Sequence, residues 1–205
     1  MIDPHNIADF NRSDAELQEL LIFAICVAGK TATVMAKNVD NFLWQSKEST
    51  RLPFETIRRM FAKGTVEENL RRSRIGKYSL LQKSFRELIN REIDLRTCLP
   101  QELEEIPGIG PKTSRFFVVY SRPNQEYAVL DTHIIKWLRS LGHHIPDKIP
   151  QNYSKIEKTF LTECRKRDMS VSEMDLKIWS ALSNKQTLNG IIPRWNERLA
   201  DAFKI

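Results

Sequence analysis

Glycine is scarce in this sequence. There are seven in 205 residues, about half the usual share of roughly 7%. That scarcity argues against glycine-rich repeats and loop-heavy all-β folds. Valine-rich strand runs are also missing, apart from the brief Tyr127-Ala-Val-Leu130. The longest apolar run, Leu20 to Ala28, has nine residues, and a bilayer span needs about 20, so no membrane partner is expected. The first ten residues, MIDPHNIADF, lack the basic n-region and apolar core of a signal peptide. Cysteine occurs only at 26, 98 and 164, with no C-x-x-C. That leaves no zinc ribbon and no cysteine-ligated cluster, so no metal site is expected. His143-His144 lacks partner ligands and reads as loop surface. The setting implied is reduced and cytoplasmic.

What is present is charge, unevenly spread. Hydrophobic residues make up 41% and charged residues 28%, the balance of a globular chain rather than a disordered one. The net charge is +6. Between Arg51 and Arg91 stand eleven bases, Arg74 and Lys77 among them, against Glu55, Glu67, Glu68 and Glu87. That is +7 in one fifth of the chain. Such a block is either a solvated helical surface or a positive lobe facing a phosphate backbone, where counterion release drives binding.

Helical signals run almost throughout, predicting an all-α fold. The spacing predicts helices from Ser13-Asp14 to Ala28, Thr31 to Trp44, Pro53 to near Gly64, Thr65 to before Gly76, and Ser79 to Asn90. Further helices are expected from Leu99-Pro100, from Pro111 to Ser121, from Asp131 to Leu141, and near 154–166, 172–182 and 193–203. Glycines 29, 64, 76, 142 and 190 fall at boundaries between these segments. Two are left over, Gly108 and Gly110. The sequence Val27-Ala-Gly-Lys-Thr31 imitates the end of a phosphate-binding loop, but the motif needs glycine at position 24, which is Ala24, and a preceding strand. Lys30 stays a candidate DNA contact at a helix junction.

The informative stretch is 99–138, LPQELEEIPGIGPKTSRFFVVYSRPNQEYAVLDTHIIKWL. A short helix carrying Leu103 and Ile106 meets Pro107-Gly-Ile-Gly110, and a second helix begins at once. Glycines there permit positive φ and close approach of a ligand. Amides of the hairpin and of the following helix N-terminus can face a phosphate, with Ile109 anchoring the turn in the core. The pattern resembles the helix–hairpin–helix motif, over about 100–121, which implies Gly108, Ile109, Gly110 and Thr113 as the residues of its DNA-binding turn. Nineteen residues beyond Lys112 stands Asp131, in Val129-Leu-Asp-Thr-His-Ile-Ile-Lys136. The combination resembles the helix–hairpin–helix DNA glycosylase superfamily, the group containing endonuclease III and the 8-oxoguanine glycosylases. In that group a lysine two residues after the last hairpin glycine marks the bifunctional enzymes, and an aspartate in a V-D-T/V/R-H-type segment is catalytic. Lys112 and Asp131 occupy those positions.

The resemblance implies two lobes with an active cleft between them: residues 30–125 as one lobe, and residues 1–29 together with 126–205 as the other. It implies a DNA glycosylase with AP-lyase activity, acting as a monomer on duplex DNA that contains a modified base, with 8-oxoguanine as the first substrate. The location implied is cytoplasmic and nucleoid-associated, and the role base excision repair. No cofactor is implied beyond a monovalent cation at the hairpin loop. The segment Asp175-Leu176-Lys-Ile-Trp179 is similar to the late helix of archaeal-type 8-oxoguanine glycosylases, which makes Trp179 a candidate base-stacking residue, and His133 is the other candidate for the base pocket. Those relatives stop shortly after this helix and this chain continues to Ile205, so the identity of the base does not carry over.

The residues support the chemistry directly. Lys112 in a first helical turn lies at the positive end of the helix dipole, which disfavours the ammonium, as partial burial in a cleft would. A neutral amine is the nucleophile required at a sugar C1′. Asp131 at an N-cap would be held as a carboxylate and would stabilise oxocarbenium character. The alternatives are a non-catalytic helix–hairpin–helix module, in which Lys112 touches a phosphate and Asp131 only caps, a monofunctional glycosylase, and a glycosylase for oxidised, mismatched or hypermodified pyrimidines.

Overall fold

The computed structural model describes residues 2–4, 6–183 and 203. Among them the regular structure is helical, with no strand. The chain divides into two compact units, Met1–Pro123 and Asn124–Ile205.

The first unit holds α1 (Asp14–Val27), α2 (Ala32–Trp44), α3 (Pro53–Ala62), α4 (Val66–Arg72), α5 (Tyr78–Asn90), α6 (Pro100–Glu104) and α7 (Pro111–Ser121). Helix α1 begins with a capping box. The Glu16 carboxylate accepts from the Ser13 amide at 2.8 Å, and the Ser13 hydroxyl accepts from the Glu16 amide, satisfying two otherwise orphaned donors. It ends where Gly29 takes φ +74°, the left-handed turn that glycine makes without strain. Residues Leu20 to Cys26 are buried on every face, so α1 is the central helix of this unit. It packs against α2, α3 and α7. Residues 1–29, expected to join the segment after Asp131, therefore group with 30–123. The reason is that an apolar run with no polar face needs neighbours all round.

The second unit holds α8 (Thr132–Ser140), a short 3-10 turn (Pro150–Asn152), α9 (Tyr153–Lys166) and α10 (Val171–Ser183). Its core is built on Trp137, fully buried and edge-on to Phe160 at 5.8 Å between ring centres. Tyr127 to Leu130, the one strand-like run, is irregular. Side chains of α9 satisfy its backbone: Glu157 accepts from the Ala128 amide, and the Tyr153 hydroxyl bonds both the Ala128 carbonyl and the Leu130 amide. A strand partner is thereby replaced. Beside it, buried Glu163 receives His143, Lys166 and Arg167. Burial alone would raise this carboxyl, but the three donors together outweigh it and hold it at about 2. His143, read from sequence as loop surface, is thus engaged, while His144 is exposed. The helix expected near 193–203 lies outside the described residues apart from Phe203, which is 5.8 Å from the Trp137 ring.

Candidate nucleic-acid interface and catalytic residues

The hairpin is built by local rules and then held by distant ones. Leu99 precedes Pro100 at the first helical position, and Glu102 accepts from the Leu99 amide at 2.6 Å. Helix α6 stops after one turn, and the Ile109 amide closes back on the Ile106 carbonyl at 3.0 Å. Ile109 is 4% exposed, so roughly 1.5–3 kcal/mol of apolar burial favours the turn.

The two glycines do different work. Gly108 adopts φ +88°, and a Cβ there would sit 2.9 Å from Ser84 Oγ and 3.2 Å from Leu80. The Ser84 hydroxyl donates to the Pro107 carbonyl, so the hairpin lies directly on α5. Gly110 has ordinary extended backbone, φ −101° and ψ 177°, and a Cβ would meet nothing within 4 Å. The positive φ expected of the pair belongs to Gly108 alone. The open approach belongs to Gly110.

Helix α7 starts at Pro111, whose missing N–H costs nothing at that position. No side chain caps it. Among the described residues the amides of Gly108, Gly110 and Lys112 meet no backbone acceptor. Lys112 is exposed in this first turn and makes no hydrogen bond or ion pair among the described residues. The partial burial expected for it is not supplied by this unit. Thr113 is half-buried, its amide turned to the Gly110 carbonyl at 2.9 Å. Behind this face, Ser114 and Arg115 are buried and both donate to Glu104, which ties α7 back to α6. At the other end Arg12 donates to the Tyr120 carbonyl at 2.7 Å, and Arg122 to the carbonyls of Leu95 and Cys98. These supports escaped the sequence reading. Arg12 and Tyr120 are 108 positions apart, and no local pattern links them.

Asp131 is the N-cap of α8. Its Oδ1 accepts from the amides of His133 and Ile134 at 2.8 and 2.9 Å. Oδ2 has no hydrogen-bond partner among the described residues, and the residue is half-buried. His133 and Trp179 are each half-buried, on α8 and α10.

The basic residues are more committed than their number implies. The Lys30 ammonium donates to the Ile75 carbonyl, and Lys77 to the Ala28 carbonyl at 2.7 Å. The two lysines clasp the α1–α2 junction to the α4–α5 junction. Burial pushes the Lys30 amine down, and Lys77 adds to the effect. Arg58, Arg59, Lys63, Arg71 and Arg91 each lie within 4 Å of a carboxylate. Arg74 is exposed at φ +55°, and its carbonyl accepts from Asn38. A group of three or more His, Cys, Asp or Glu side chains able to hold a metal ion is absent among the described residues, and no described helix is long and apolar enough to cross a membrane.

No family model matches the chain, and no solved structure matches it.

Proposed function

We propose that this protein is a DNA glycosylase with an associated AP-lyase step, with the two-lobed all-α fold of the helix–hairpin–helix glycosylases. It excises a damaged or modified base, 8-oxoguanine first, from duplex DNA in the cytoplasm. The observation that carries this reading is the start of α7, where the amides of Gly108, Gly110 and Lys112, with no backbone acceptor among the described residues, lie beside the exposed Lys112 side chain. The amides and the helix dipole suit a backbone phosphate. The lysine suits the sugar attached to it.

In the reaction Lys112 first gives up its ammonium proton to water, and the Nζ lone pair then forms the bond to C1′ as the bond from C1′ to the base breaks. The base leaves with the electron pair of the broken bond and takes up a proton from water. The sugar ring opens to a Schiff base, which loses a C2′ proton and expels the 3′ phosphate by β-elimination. Water then releases Lys112. Asp131, with Oδ1 committed to the cap and Oδ2 without a hydrogen-bond partner among the described residues, stabilises the positive charge that develops on the sugar. The extruded base needs an apolar or aromatic platform, for which Trp179 and His133 are the candidates.

One observation favours a rival. Asp131 already does everything a structural cap does, and exposed Lys112 could serve only as a phosphate contact, as in a non-catalytic DNA-binding module.

Borohydride trapping on duplexes that each carry one lesion separates these readings. The wild type should give a covalent protein–DNA adduct and Lys112→Gln none, while both bind an abasic duplex. Binding with no adduct and no strand cleavage on any lesion would leave the non-catalytic module. Free base released without nicking, and lost in Asp131→Asn, would make the enzyme monofunctional.

A further inference from the structure

Beside the hairpin, on the exposed face of α5, lies an open groove of about 500 Å³ lined by Ser79, Gln82, Lys83, Arg86, Glu87 and Pro107. Lys83 and Arg86 are three residues apart and so share a helix face. Both are exposed, and neither has a carboxylate within 4 Å among the described residues. Their neighbours in the basic block differ, since Arg58, Arg59, Arg71 and Arg91 are all paired. Arg86 does not hang loose. Its guanidinium lies 4.7 Å over the Phe61 ring, a stacking that holds the plane and leaves edge N–H groups for an acceptor. The Ser79 hydroxyl makes no hydrogen bond among the described residues. The one acid of the groove, Glu87, leans toward Arg91 at 3.5 Å. Pro107 belongs to the hairpin itself, fixed to α5 by Ser84.

We propose that this groove is a second phosphate site, which takes a DNA backbone phosphate next to the one held by the hairpin amides. The proposal rests on the reading that the hairpin binds DNA. Two unpaired cations and a free hydroxyl on a rigid helix offer charge and donors to one anion. Ser84 anchors that helix to the hairpin, so the two phosphate positions keep a constant spacing. A polynucleotide satisfies both sites at once, where a free phosphate fills only one.

The test is the salt dependence of binding to an abasic-analogue duplex, read by fluorescence anisotropy. The logarithm of affinity falls with the logarithm of salt by about 0.9 per phosphate neutralised. Lys83→Gln with Arg86→Gln should flatten that slope by about 0.9, the share of one phosphate, and weaken binding about tenfold near 0.15 M salt. Lys155→Gln with Lys158→Gln removes the same charge from α9 and should leave the slope nearly unchanged. Lys83→Gln alone should flatten the slope by part of that amount, and since Lys83 is exposed with no hydrogen bond or ion pair among the described residues, its unfolding midpoint should match the wild type. A slope change no larger than that of the α9 pair overturns the groove. If Gly110→Asp abolishes binding while the groove variants do not alter it, the hairpin reading survives and the groove falls. If the wild type does not bind the duplex, both fall.

Discussion

Helices α7 and α8 begin with the same physical problem and solve it in opposite ways. Each starts with backbone amides that have no partner inside the helix. At α8 Asp131 closes two of them with one carboxylate oxygen. At α7 the residue in that place is Gly110, with no side chain to offer, and Pro111 follows. The protein leaves one start sealed and the other open, although a Cβ at 110 would meet nothing within 4 Å. With glycine at the cap, an open start forgoes a few tenths of a kcal/mol of capping, roughly 0.3 kcal/mol. Forgoing it makes sense where the amides have a ligand to meet.

The largest effect on activity is expected at the sealed end. Asp131→Ala removes cap and charge together and should cost roughly 1 kcal/mol of stability, read from denaturant unfolding. Asp131→Asn keeps the cap and removes only the charge. Its stability should stay within about 0.5 kcal/mol of wild type, while base release falls on the order of a hundredfold or more. Full activity in Asp131→Asn would reduce this residue to a cap and erase its catalytic half.

The hairpin glycines give the next contrast. Gly108→Ala forces a left-handed alanine against Ser84 and Leu80, and should destabilise by roughly 2–4 kcal/mol. Gly110→Ala changes stability by about 0.5 kcal/mol, since its backbone is extended and its surroundings open. Its effect should appear in DNA affinity instead. Equal stability losses in the two would overturn the division of labour.

The smallest expected effect makes α7 start like α8. Gly110→Asp should raise stability by a few tenths of a kcal/mol, roughly 0.3 kcal/mol, and weaken DNA binding, because the new carboxylate occupies the amides and repels phosphate. Stability and affinity moving together would mean that the open start is not a binding surface.

Much of the helical framework was legible because its signals are local. Pro53, Pro100 and Pro111 each stand at the first helical position, and Ser13 and Asp131 each cap. Gly29, Gly64 and Gly142 take the left-handed turns that end their segments. The candidate site was legible in its residue types but not in their commitments. Lys30 and Lys77 read as free cations, yet each reaches more than 40 residues along the chain to a carbonyl. Lys83 and Arg86 read no differently from Arg71 or Arg91, and only the folded surface distinguishes the unpaired cations from the paired ones.

Helix starts, helix stops and the spacing from Gly108 to Lys112 and Asp131 follow from neighbouring residues, because capping and turn chemistry act over three or four positions. The folded chain alone decided that Gly108 serves α5, that Arg12 closes the end of α7, and which basic side chains remain unpaired. Each of these depends on atoms brought together from distant parts of the chain, and hydrogen bonds and ion pairs act only across a few ångströms.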